Sequence, residues 1–180
     1  CFTPDYNQYY VVDEVCGENE SMECYLPKNT SAVFKDNVKF LCECNADDFD
    51  ALIIPGGLSL EEKSAIFSFR DVDSGNNTNI LAKLGEFKKE NKPVGYMNLT
   101  AFLLPVVYRT GIVLTIGNDV HTIAGFRKTG RVHKLKNVEE IEVDELSRVL
   151  ISPAYMLDSN IYEAKMGIDN LVKNLDDMTG

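Results

Sequence analysis

The sequence contains no tryptophan, only two histidines (His121 and His133) and six prolines in 180 residues. Cations are scarce as well: Lys and Arg number 18 against 28 Asp and Glu, a formal net charge of -10. Gripping a phosphate backbone takes clustered cations, so this balance argues against a nucleic-acid partner and against an anionic membrane surface. Long apolar runs are missing too. Ala101-Phe-Leu-Leu-Pro-Val-Val107 is among the longest and carries Pro105 inside it, whereas a spanning helix needs about 20 apolar residues. No membrane insertion is expected, and the opening residues do not have the pattern of a secretory signal.

Cysteine is present but unpatterned. The five, Cys1, Cys16, Cys24, Cys42 and Cys44, are odd in number and irregular in spacing, a poor disulfide framework. Cys42-Glu-Cys44 is C-x-C rather than the C-x-x-C of zinc and redox sites, and with two histidines to add, neither a metal site nor a cofactor is expected. Reduced thiols in an intracellular compartment fit this usage. The N-x-[ST] triplets at Asn29, Asn76 and Asn98 would matter only in a secreted chain.

What remains is an ordinary soluble balance of 44% hydrophobic and 26% charged residues, enough for a core in a single domain over 1–180. Val38–Cys44 has partial alternation and predicts a short strand. Asp50-Ala-Leu-Ile-Ile-Pro-Gly-Gly57 is an unbroken apolar run closed by a turn, the pattern of a strand buried on both faces. Ile80, Leu81, Leu84 and Phe87 share one helical face between Asn79 and Asn91, and Pro93 stops that helix. Lys92–Asn98 then reads as a second buried strand. A sharp turn leads into an apolar helix over Leu99–Tyr108. Val113–Ile116 predicts a strand, 119–128 a short helix, and Glu139–Val143 and Val149–Ser152 two strands about a turn. Asn160 with Glu163 makes a capping-box start to a helix running to Leu175. Alternating strands and helices imply an α/β sandwich with a mostly parallel sheet covered on both faces. In such sheets chemistry gathers at the carboxyl ends of the strands, here at Pro55-Gly56-Gly57 and at Asn98-Leu99-Thr100.

These segments, taken in order, resemble a known family. Ile53-Ile-Pro-Gly-Gly57 is similar to the strand-and-turn motif of the DJ-1/PfpI superfamily (class I glutamine amidotransferase-like). Asn91-Lys-Pro-Val-Gly-Tyr-Met97 resembles the strand leading into its nucleophile elbow. Leu114-Thr-Ile-Gly117, Ser152-Pro-Ala-Tyr-Met156 and Gly167-Ile-Asp-Asn-Leu-Val172 resemble later segments, and the nearest branch is ElbB-like, or glyoxalase-like. The resemblance implies a flavodoxin-like three-layer sandwich. It also implies that Cys1-Phe-Thr-Pro-Asp5 follows the second strand. A first β-α-β segment of roughly 30–40 residues, including a central strand, is therefore expected upstream of residue 1.

The same resemblance places the enzymes' cysteine nucleophile at Asn98, and an oxyanion pocket at Gly56, Gly57 and the N–H of Leu99. Asparagine forms no thiolate and is a poor nucleophile, but it tolerates the left-handed backbone of a tight elbow. Asn98 therefore fits a site that keeps the bend and loses the chemistry, or one that hydrogen-bonds a ligand. His133 matches a histidine frequent in the branch, with a structural role weighed against a catalytic one. His121 stands where the branch is usually acidic and is assigned no role. Thr100 has no evident base to activate it. Cys24–Ala32 departs from the branch's polar helix, since Pro27 disfavours a helix interior. The expectation is a non-catalytic domain, homo-oligomeric or a subunit of a larger assembly. The alternatives are a glyoxalase-, deglycase- or amidotransferase-like enzyme acting on a small carbonyl or amide, and a small-molecule sensor. The resemblance implies a mitochondrial or cytoplasmic location.

Overall fold

The computed structural model describes residues 1–3, 7–8, 11–12, 19–20, 24–25, 37–55, 78–108, 112–115, 123, 132–154 and 160–180. The strands, in chain order, are β1 (Phe2–Thr3), β2 (Asn7–Gln8), β3 (Val11–Val12), β4 (Asn19–Glu20), β5 (Cys24–Tyr25), β6 (Lys39–Phe40), β7 (Leu52–Ile54), β8 (Val94–Met97), β9 (Glu142–Asp144) and β10 (Val149–Ser152). The helices are α1 (Thr78–Lys89), α2 (Leu104–Tyr108) and α3 (Ile161–Thr179).

A four-stranded sheet in the order β7-β8-β10-β9 organises the molecule. β7 and β10 both run parallel to β8, and β9 closes one edge antiparallel to β10. Successive strand residues point to opposite faces, and the core divides accordingly. Leu52, Ile54, Val94, Tyr96, Val149 and Ile151 belong to one hydrophobic cluster, with Leu84 and Phe87 of α1 and Leu104 and Tyr108 of α2. Ile53, Met97 and Leu150 belong to the other, with Leu171 and Leu175 of α3. Helices thus cover both faces of a mostly parallel sheet, the three-layer α/β arrangement expected from the sequence.

β1 pairs in parallel with β6 and stands outside this sheet. Pairing of β2 with β5 and of β3 with β4 is antiparallel. The Cys24–Ala32 segment therefore opens as a strand.

Several expected elements differ in detail. The strand expected over Val38–Cys44 is reduced to Lys39–Phe40 and then tightens into 3-10 turns at Leu41–Glu43 and Ala46–Asp48. Lys92 Nζ, at 2.7 Å from both Ala46 O and Phe49 O, ties down the second of these turns. The helix expected from Leu99 starts as a 3-10 helix over Asn98–Leu103 and becomes α-helical at Leu104. Pro105 is the second residue of α2, where its fixed φ suits the helical backbone. Of the strand expected over Val113–Ile116, the described residues 113–115 show a parallel bridge from Leu114 to His133. The strand expected over Glu139–Val143 is shifted to Glu142–Asp144, because Asn137–Glu140 forms a turn in which Glu140 caps the Asn137 N–H at 2.8 Å. Of the helix expected over 119–128 only residue 123 is among the described residues, and it is helical; His121 lies outside them.

α3 starts where the sequence places it. Asn160 Oδ1 accepts from the N–H groups of Tyr162 and Glu163, both at 3.0 Å, and Glu163 returns a bond to the Asn160 N–H. The helix then passes the 137–140 turn so closely that a Cβ on Gly167 would lie 2.1 Å from the Val138 carbonyl oxygen. That oxygen is rigid backbone, so Gly167→Ala should force α3 off the sheet. We expect a stability loss at or above the usual 1–3 kcal/mol or so of overpacking, read as a lower urea midpoint. Wild-type stability in that variant would show that the approach is looser than described.

Candidate functional site

Because β7, β8 and β10 are parallel, their carboxyl ends emerge side by side. Register pairs Ile54 with Tyr96, and Met97 with Ser152. Directly beyond these pairs lie Pro55, Asn98 and the 153–154 turn. Asn98 is 8% exposed and Thr100 2%, while Ser152 is fully buried. An apolar sheet thus ends in a row of enclosed polar side chains, the place where open α/β sheets bind ligands.

The turn at Asn98 is sharp: its φ is 56°, the left-handed region that L-residues seldom enter. Asparagine bears that conformation better than most side chains. Ala154, beyond β10, also has a positive φ of 47°, and its N–H donates to Ser152 Oγ at 3.1 Å. Ser152 and Ala154 were not singled out as site residues from the sequence. The usable signal was Ser152 preceding Pro153 at the end of a buried strand.

Thr100 holds the elbow. The Met97 N–H donates to Thr100 Oγ1 at 3.0 Å, and the hydroxyl proton faces two carbonyl oxygens, Met97 O at 2.6 Å and Ile54 O at 3.2 Å. One hydroxyl thus fastens the turn after β8 and joins it to the end of β7. A hydroxyl so engaged and so buried is not an available nucleophile, which agrees with the doubt raised by the sequence.

The other candidates separate. Leu99 follows Asn98 in the 3-10 helix. Gly56 and Gly57 lie outside the described residues. His133 is half-buried in its parallel bridge, where Leu114 N–H donates to Val132 O at 3.1 Å and Lys134 N–H to Leu114 O at 2.8 Å. That bridge is separate from the β7-β8-β10 row. Among the described residues, no group of three or more His, Cys, Asp or Glu side chains is placed to hold a metal ion.

Cys1 and Cys42 are exposed free thiols and Cys44 is a buried one. Burial pushes the Cys44 thiol above its ordinary value, with Lys83 opposing and Glu86 adding to the rise. Burial also raises the Tyr96 phenol, well above its usual value with the neighbouring Tyr108 contributing, and it raises Tyr108 itself.

No protein-family model matches the chain. Sequence relatives do, among them two mitochondrial proteins. The "ES1 protein homolog, mitochondrial" of Rattus norvegicus is 27% identical over 99% of this chain and 71% of its own length. The "Glutamine amidotransferase-like class 1 domain-containing protein 3, mitochondrial" of Homo sapiens is 26% identical over 99% of this chain and 70% of its own. Among solved structures, an isoprenoid biosynthesis protein with an amidotransferase-like domain from Ehrlichia chaffeensis superposes with a TM-score of 0.83. It is 23% identical and covers all of this chain and 83% of that one. Its likeness fixes the fold as the amidotransferase-like, flavodoxin-type sandwich.

Two outcomes follow from this geometry. Thr100→Val keeps the shape but strands the Met97 N–H and its carbonyl partners, so a loss of about 1–3 kcal/mol is expected, with Thr100→Ser near wild type. Equal melting temperatures for wild type and the valine variant would refute the clamp. The raised thiol and phenols mean that the folded state holds protons the unfolded chain gives up. Their stabilising contribution is complete below the ordinary thiol and phenol values of 9.0 and 10.0 and is lost as pH rises through the higher folded values. Urea midpoints should therefore drop through the alkaline range; a midpoint unchanged to about pH 11 would contradict the assignment.

Proposed function

Since the chain belongs to the class I glutamine amidotransferase-like (DJ-1/PfpI) superfamily, we propose that it is a non-catalytic, ElbB-like member serving as an interaction or scaffold subunit. The carrying observation is Asn98. It stands in the left-handed elbow at the end of β8, where the superfamily's enzymes place a thiol, and a carboxamide offers neither a nucleophilic lone pair nor a thiolate. The nearest hydroxyl, on Thr100, is spent on the turn. The elbow is maintained as architecture without the group that would react there.

An interaction role is also supported by the outer face of α3. Ile161 is 80% exposed and Tyr162 77%, with Met166 and Val172 about half exposed on the same helix. Apolar groups left in water at this density fit a covered surface, in a homo-oligomer or in a larger assembly. An intracellular location, mitochondrial or cytoplasmic, goes with this reading; the rat and human relatives named above both carry "mitochondrial" in their names. No described helix is long and apolar enough to cross a membrane.

The test is turnover of methylglyoxal and of small amides by the wild-type protein and by Asn98→Cys and Asn98→Ala. We expect no wild-type turnover above the uncatalysed rate. Any rate gained by the cysteine variant alone would mean that the remainder of the site still fits a small carbonyl. Wild-type turnover abolished by Asn98→Ala would overturn the proposal in favour of an asparagine-dependent enzyme.

A further inference from the structure

We draw no further inference here: the strongest candidate, the outward face of α3 on which Ile161, Tyr162 and Met166 stand exposed, belongs to the interaction surface already described, and nothing among the described residues shows what covers it.

Discussion

Pairing on both edges of β8 is the constraint from which the rest of the structure follows. Its four residues are all buried; all of them pair with β10, and Val94, Gly95 and Tyr96 pair with β7 as well. That double ladder fixes which side chains face α1 and α2 and which face α3. It also aligns three carboxyl ends into one row and sets β7 at the end of the four-stranded order. The neighbouring helices conform to the strand. Gly95 lets Leu171 of α3 lie directly against the sheet, with a Cβ position only 3.4 Å from the leucine side chain.

At the end of β8, geometry and chemistry belong to different residues. Asn98 supplies the backbone conformation and Thr100 the hydrogen bonds that hold it. A catalytic elbow needs both of these and a reactive atom as well. Since the first two do not depend on the third, the reactive atom can be absent without loss of the turn. An interaction subunit can thus keep the framework of an enzyme.

Much of this was legible in the sequence, because burial on two faces leaves a plain pattern. The apolar runs 50–57 and 92–98, the one-faced helix of Ile80, Leu81, Leu84 and Phe87, and the Asn160–Glu163 cap are local signals. Each corresponds to an element of the sheet or its helices. What escaped depends on tertiary contact. The 3-10 opening of the elbow helix answers to Thr100 reaching Ile54, 46 positions away. The shift of β9 answers to a turn capped by Glu140. The turn in which Ser152 Oγ accepts from the Ala154 N–H acquires meaning only when β10 is laid beside β8. Leu114 has the composition of a strand residue, and among the described residues its partner is His133, across a bridge.

The order of the sheet also bears on how the chain reaches it. β8 must find β7, 42 positions earlier, and β10, 55 positions later. Closure entropy grows only with the logarithm of loop length, so the longer search costs just a few tenths of a kcal/mol more. Distance along the chain therefore does not decide which pairing forms first. Preorganisation does: β10 pairs with β9 across a short turn held by Asp144 Oδ1 and the Ser147 N–H, and such hairpins close in microseconds. β10 thus arrives at β8 as half of a ribbon already formed, whereas β7 comes as a single strand. The β7 end of the four-stranded sheet is thus the one joined without such a preformed partner.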